Sequence, residues 1–355
     1  MSIWAFVRAV LIGGVGAGAI SPAFAWDYEG HRMVNQLALS ALPKEFPAFV
    51  REPANVDRII YLANLPDRWR NVDPWLQHSG PSWTDHFIDI EQLVDAGIDP
   101  KTVPSQRYSF ALMFAAGRIA HAEKFRAIDP AKNAAHTYEW PGFSPWAITE
   151  WYQKLRSAFA CLKAYEEVNG TPEEIANAKA DIIYTMGVIG HYIADSAQPL
   201  HTTESHHGWF GPNPNGYTTA FAIHSWIDSG FIGKAAIKSA DLAPRVKTVQ
   251  ALALPNPMDG RDPFFVVTMD YILASFAQVE PLYKLEKAGL LGMGDQPITP
   301  EGRAFIEGRL LRGTEMLAQV WLTAWKTAPV DTYLRTEILG KRAGGAGPVP
   351  KKSKP

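Results

Sequence analysis

The stretch from residue 191 to residue 201, HYIADSAQPLH, has two histidines and an aspartate at spacings that suit metal binding. His191 and Asp195 are four residues apart, so on a helix their side chains project from one face about a turn apart. Pro199 favours an end to that helix, which puts His201 in the exit loop. Imidazole and carboxylate are the usual ligands of catalytic zinc. The spacing alone also fits a hydrogen-bonded pair on a helix surface.

The helix that carries this pair is predicted to be buried on both sides. Tyr184 and Val188 share the side of His191 and Asp195. The opposite side carries an apolar stripe of Ile182, Met186, Ile189 and Ile193. A carboxylate on such a helix is costly unless it is paired or bound to a cation. The pattern therefore favours a metal site over a surface pair.

Further candidate ligands occur along the chain. His224 and Asp228 repeat the four-residue spacing, and His86 begins the run HFID. Asp67 lies in the segment ANLPDRWR, and His31 lies five residues after Trp26. If the chain is cleaved before Trp26, the new α-amine is a further donor. Together these residues suffice for more than one zinc ion.

Helical periodicity accounts for nearly every long segment, and no run alternates like a strand. We predict helices over residues 30–42, 108–125, 146–168, 171–196, 263–280 and 300–327. The segment Thr171-Pro172-Glu173-Glu174 has the residues of an N-cap, a first-turn proline and a capping box. Residues 26–339 contain no convincing linker, so we predict a single all-α domain.

The two ends of the chain have different compositions. Arg8, an apolar run from residue 9 to residue 20 and the small residues before Trp26 predict a signal peptide over residues 1–25. Cleavage between Ala25 and Trp26 predicts a secreted or periplasmic protein, and no later stretch is apolar enough for a membrane span. Residues 340–355 are rich in Gly, Pro and Lys and are predicted to be a disordered basic tail.

The charge limits the kinds of partner. The net charge is −2, and it becomes −8 without Arg8 and the five cations of the tail. Such a body does not favour a long basic groove for a polyanion, so a phosphate-ester substrate would need bound cations. Cys161 is the only cysteine, which excludes an internal disulfide.

In order and spacing, these residues resemble the trinuclear-zinc nucleases of the S-one and P-one type. That family shares a superfamily with zinc phospholipase C. Its pattern is a mature N-terminal Trp, a His five residues later, an Asp, a His in HFID, then HxxxDxxQPxH and HxxxD. The chain contains each element in turn over residues 26–228. The resemblance implies a mainly helical fold and three zinc ions per chain.

The resemblance also implies which residues bind each ion. One zinc would be bound by Asp67, His86, His191 and Asp195. A second would be bound by the Trp26 amine and carbonyl, His31 and the other oxygen of Asp195. The third would be bound by His201, His224 and Asp228. Asp195 would then bridge two zinc ions that share an attacking hydroxide, while the third stabilises the leaving oxygen.

Three neighbours of the ligands match the family as well. Arg70 matches a cation that steadies the transition-state phosphate, although Arg68 is equally close and either arginine can be a surface residue. Phe87 matches an aromatic ring that stacks on a base, and Asp89 an acceptor for its exocyclic amine. Core packing for Phe87 and a hydrogen bond to His86 for Asp89 are the alternatives.

The chain departs from the family mainly around the predicted substrate pocket. The loop after His201 lacks the double glycine and asparagine of the fungal and plant nucleases, and Asn213 or Asn215 are the candidate replacements. His206 and His207 are additional and are predicted to belong to a solvated loop or to line the entrance. Pro66 replaces an alanine of the family. His78, His121 and His136 fit no site and are predicted to be structural or exposed.

The expected function is that of a zinc phosphodiesterase. The resemblance favours a nuclease that acts on single-stranded DNA and RNA, cleaves 3′-nucleotides and leaves 5′-phosphate products. We expect a monomer. A zinc phospholipase C that acts on phospholipid head groups is the first alternative, although that branch generally ends its ligand set with Glu where this chain has Asp228. A non-catalytic zinc-binding protein is the second.

Overall fold

The computed structural model describes residues 26, 28–72, 81–133 and 135–342. Helices make up 66% of the chain, and the described residues form no strand, so the fold is all-α as predicted. The buried apolar residues of this part form one continuous core. None of its helices combines the length and the apolarity needed to cross a bilayer.

The α-helices follow one another along the whole described part of the chain. In order they are α1 (Tyr28–Ala41), α2 (Pro53–Leu62), α3 (Leu65–Val72), α4 (Pro81–Thr84), α5 (Ile90–Asp95), α6 (Arg107–Ala120), α7 (Ser144–Glu167), α8 (Pro172–Ala197), α9 (Ile223–Ser225), α10 (Phe231–Ala235), α11 (Ser239–Leu242), α12 (Pro263–Phe276), α13 (Val279–Lys287), α14 (Pro300–Lys326) and α15 (Thr332–Arg342).

Some predicted boundaries were wrong. The helix predicted over 263–280 is two helices, because Pro281 cannot donate a hydrogen bond to the carbonyl four residues earlier and its ring collides with that turn. The helix predicted over 108–125 ends at Ala120. Helix α15 continues to Arg342, so residues 340–342 belong to a helix and not to the predicted tail. The predicted signal peptide and residues 343–355 lie outside the described residues.

Helix α8 is the centre of the fold. Its N-terminus has the predicted capping box, in which Thr171 and Glu174 exchange side-chain to backbone hydrogen bonds of 2.6 and 3.2 Å. The helix packs against α1, α2, α7 and α14. Every residue from Met186 to Ala197 is buried, which confirms that the pair His191 and Asp195 does not lie on a surface.

Two glycines let neighbouring helices approach α8 closely. A Cβ atom on Gly190 would lie 1.9 Å from Oδ1 of Asn35, and one on Gly187 would lie 2.4 Å from Cβ of Leu62. The Asn35 amide donates hydrogen bonds of 3.0 Å to the carbonyls of Ile59 and Gly187. These contacts hold α1 and α2 against the turn of α8 that precedes His191.

Candidate metal centre

Three groups of buried histidines and aspartates could hold metal ions. The first is His86, His191 and Asp195, and the second is His31, Asp67 and His191. Because His191 belongs to both, these five residues form one continuous set, which we call the Asp195 group. The third is His201, His224 and Asp228, which we call the Asp228 group. All eight predicted His and Asp ligands therefore fall into the two groups.

The ligand atoms around His86 and His191 have the separations of a zinc site. His86 Nδ1 lies 2.9 Å from His191 Nε2, 3.0 Å from Asp195 Oδ2 and 3.8 Å from Asp67 Oδ1. His191 Nε2 lies 3.3 Å from Asp195 Oδ2 and 3.8 Å from Asp67 Oδ1. Tetrahedral zinc with bonds of 2.0–2.1 Å separates its ligand atoms by about 3.3 Å. His86, His191 and Asp195 therefore fit three ligands of one zinc ion, and Asp67 lies slightly farther away, 3.8 Å from both histidine nitrogens.

The second oxygen of Asp195 faces a different histidine. Asp195 Oδ1 lies 3.3 Å from His31 Nε2, while Oδ2 faces His86 and His191. The His31 ring stacks on His191 with its centroid 3.9 Å away. The His31 nitrogen also converges with Asp67 and His191. A carboxylate whose two oxygens face different imidazoles can serve two cations.

Trp26 is anchored beside this group. Its side chain is fully buried, and the indole N–H donates a 2.8 Å hydrogen bond to the Ala194 carbonyl, next to Asp195. Its own carbonyl, a predicted zinc ligand, accepts a 3.3 Å hydrogen bond from the His31 backbone. The α-amine becomes a donor only after removal of residues 1–25, which lie outside the described part of the chain.

The Asp228 group is built on a widened turn. Residues Trp226–Gly230 form a π-helical segment, a feature often found at functional sites. His224 Nε2 lies 3.0 Å from both His201 Nε2 and Asp228 Oδ2. Asp228 Oδ2 is buried and accepts no hydrogen bond from the described residues, as expected for an oxygen that faces a cation. Two nitrogens and this oxygen would form three ligands of one ion.

Groups that the sequence interpretation did not assign orient these ligands. His191 Nδ1 donates to the Ala63 carbonyl at 2.7 Å, and His201 Nδ1 donates to the His86 carbonyl at 2.9 Å. Each bond leaves Nε2 free to bind a metal, as is usual for metal-bound histidine. Gln198 donates a 2.7 Å hydrogen bond to Asp228 Oδ1. Gln198 is the first residue of the QPxH motif, so the motif could have identified it as a functional residue.

Electrostatics prepare the Asp195 group to bind a cation. Burial by itself raises the pKa of Asp195, but His191 and His201 hold it well below the ordinary value. Burial also raises the pKa of Asp67, but the charges of His191 and Arg70 outweigh this effect, so the pKa is lowered. Burial lowers the pKa of His191 to about 3. The carboxylates are therefore ionised and His191 is neutral at neutral pH, which is the state that binds metal.

The Asp228 group is more sensitive to protons. Burial raises the pKa of Asp228 to about 7 and outweighs the opposing effects of His201 and Gln198. Burial lowers the pKa of His224 to about 4, and the nearby Arg70 adds to this effect. His224 is therefore neutral and able to bind a cation at neutral pH. Asp228 is partly protonated near pH 7 and must lose its proton before it can bind a cation.

Both groups border a cavity of about 580 Å³, which His86, His201, His224 and Arg70 help to line. Arg70 Nη2 donates a 2.6 Å hydrogen bond to Asp67 Oδ1, and its guanidinium lies over Trp83. Arg68 instead donates to the hydroxyl of Tyr61 and does not line the cavity. The structure therefore distinguishes the two arginines, and Arg70 is the one beside the metal groups.

The predicted substrate-binding pair also lines the cavity. The Phe87 ring is half-buried and makes an edge contact with Trp83 at 6.4 Å. Asp89 accepts a 2.8 Å hydrogen bond from Gln92, and its Oδ1 is buried with no hydrogen bond from a described residue. Burial and then the neighbouring Glu91 raise the pKa of Asp89 well above its ordinary value. Asp89 thus faces the cavity and does not orient His86.

In the exit loop after His201, the two additional histidines line the cavity and the two candidate asparagines do not. His206 and His207 line the cavity, and their ring centroids lie 6.0 and 4.9 Å from that of His224, so both lie beside the Asp228 group. Asn213 is bound to the Tyr217 backbone and Asn215 to the Tyr217 hydroxyl, and neither lines the cavity. His121 and His136 also lie outside it, and His78 lies outside the described residues.

No protein-family model matches this chain, and no curated protein matches it at a significant level.

Proposed function

We propose that this chain is an exported zinc-dependent phosphodiesterase, specifically a nuclease that acts on single-stranded DNA and RNA and on 3′-nucleotides and leaves 5′-phosphate products. The observation that supports it is the convergence of the Asp195 and Asp228 groups at a cavity that also contains Arg70 and Phe87. Metal ligands, a guanidinium and an aromatic ring in one cavity suit a phosphate ester attached to a base.

The donor sets described above would hold zinc, with the Trp26 amine as a further ligand after export. Zinc in such a centre supplies Lewis-acid chemistry, which lowers the pKa of water and neutralises charge on a phosphoryl group. The protein contributes the position of the substrate. Arg70, fixed by Asp67, would bind a phosphoryl oxygen in the transition state. Phe87 would stack on an unpaired base, and Asp89 would bind its polar edge.

A substrate panel tests this proposal. Protein that begins at Trp26 is loaded with zinc and offered single-stranded DNA, RNA, a 3′-nucleotide and phosphatidylcholine, with and without a chelator. We expect chelator-sensitive cleavage of the first three and products with 5′-phosphates. Phe87→Leu should raise KM by roughly 5- to 150-fold for base-containing substrates, because stacking contributes about 1–3 kcal/mol per base.

The same panel separates the alternatives. The aromatic lining of the cavity is the observation that favours a phospholipase C, and cleavage of phosphatidylcholine alone would assign that function instead. Zinc binding without chelator-sensitive turnover of any substrate would indicate a non-catalytic zinc-binding protein.

A further inference from the structure

The cavity extends well beyond the metal groups. We use the name outer half for the part of the lining that comes from the C-terminal end of α6, the loop that follows it and the exit loop after His201. Three cations line this half, Arg118, Lys124 and Arg126, together with the aromatic rings of Phe125 and Phe210. A single phosphate at the metal groups would leave this region unused.

Arg126 is held in an unusual position for a charged side chain. Its guanidinium lies over the ring of Phe210, with Cζ 3.4 Å from the centroid. It makes no hydrogen bond or ion pair with any residue in the described part of the chain. Arg118 lies over Phe125 in a similar way at 4.3 Å. Stacking restrains the plane of a guanidinium and leaves its N–H groups available to a ligand.

The carboxyl groups close to Arg126 neutralise it incompletely. Asp89 and Glu204 both interact electrostatically with it. Burial and then the neighbouring Glu91 raise the pKa of Glu204 to about 7 and that of Asp89 well above its ordinary value. Asp95 lines this half as well, and it forms no ion pair with Arg126. An anionic ligand therefore has an available guanidinium to bind.

We propose that Arg126, backed by Phe210, forms a subsite for a second phosphate group of a polynucleotide, in the same cavity as the phosphate held at the metal groups. A guanidinium binds phosphate through two parallel hydrogen bonds, so a stacked arginine suits this ligand better than a lysine. This subsite rests on the proposed nuclease function, and the preferred substrates would be nucleotide chains with at least two phosphates. A phospholipid with one phosphate would gain nothing from the subsite.

The test compares two substrates that differ by one phosphate, the dinucleotide NpN and the trinucleotide NpNpN. Arg126→Gln should lower kcat/KM for NpNpN relative to NpN by at least about 10-fold, mainly through KM, as loss of a charge-assisted hydrogen bond does. In a plot of log kcat/KM against log salt concentration for NpNpN, the negative slope should also become less steep by about 0.7, the value for one phosphate contact on a single strand. Arg68→Gln, which lies outside the cavity, should leave both ratio and slope unchanged.

A binding measurement keeps the subsite separate from the proposed chemistry. Binding is measured with uncleavable analogues of NpN and NpNpN, in which a methylene group replaces each bridging 3′-oxygen, on the zinc-loaded protein, and is followed by tryptophan fluorescence, since Trp140 and Trp209 line the cavity. Arg126→Gln should weaken binding of the NpNpN analogue about 10-fold. Equal effects of the variant on NpN and NpNpN, in turnover and in binding, would overturn the subsite. Wild-type protein that binds NpNpN in an Arg126-dependent way but cleaves neither compound would keep the subsite and overturn the nuclease.

Discussion

Replacement of Asp195 by asparagine tests whether one carboxylate serves two metal ions. Asp195 Oδ1 lies 3.3 Å from His31 Nε2 and Oδ2 lies 3.0 Å from His86 Nδ1, so both ions of this group would lose a ligand atom. Asparagine offers one neutral oxygen, and its amide nitrogen does not bind zinc. The Asp228 group has its own carboxylate. We therefore expect the zinc content to fall from three ions per chain to one.

The loss should also appear in the stability. Zinc at 100 times its dissociation constant stabilises a folded protein by about 2.7 kcal/mol for each site that is absent from the unfolded chain. Two lost sites thus remove about 5 kcal/mol of the zinc-dependent free energy of unfolding. Turnover should disappear in the same variant, because the Asp195 group would no longer hold its ions.

The assay is metal analysis after dialysis against buffered zinc, together with denaturant unfolding with and without zinc. Asp228→Asn is the matched variant and should lose one ion, since Asp228 contacts His224 and Gln198 and no ligand of the Asp195 group. Asp270→Asn, on the exposed side of α12, should keep all three. An Asp195→Asn protein with three ions and undiminished zinc-dependent stability would refute the shared carboxylate.

Three further predictions concern single features of the site. Arg70→Gln should lower kcat for phosphodiester cleavage about 100-fold, as loss of one preorganised donor does, whereas Arg68→Gln should leave kcat unchanged. Steady-state kinetics measure both variants, and equal effects would rule out a role of Arg70 in binding the transition-state phosphate. On acidification the Asp228 group should release zinc first, with affinity falling about tenfold per pH unit below about 7, because Asp228 then gains a proton while Asp195, whose pKa is held low, stays ionised. Zinc-release titrations of wild type and Asp228→Asn check this order, and simultaneous release would contradict it. Gly190→Ala should destabilise the metal-free protein by about 1–3 kcal/mol, because its Cβ would meet Asn35 at 1.9 Å. Gly308→Ala, where a Cβ meets nothing within 4 Å, is the control, and equal unfolding midpoints for the two variants would argue against the close packing.

The long helices could be predicted because their signals are local. The cap at Thr171 and the apolar periodicity of α8 depend on residues within a few positions of one another. The helices that were missed, such as α2 and α3, are short, and their stability depends on packing against α8. Asp67 and Arg70 lie on α3, so their position relative to α8 could not be predicted from periodicity.

The sequence by itself determined which side chains can bind a cation and which of them share a turn. His191 with Asp195 and His224 with Asp228 are set by helical geometry, which depends on neighbours along the chain. The tertiary structure decided how distant residues meet: His86 and Asp195 are 109 residues apart in the chain, yet their side chains lie 3.0 Å apart. It likewise selected Arg70 over Arg68 and brought Arg126 onto Phe210. Such contacts depend on how helices and loops pack in three dimensions, which local spacing does not encode.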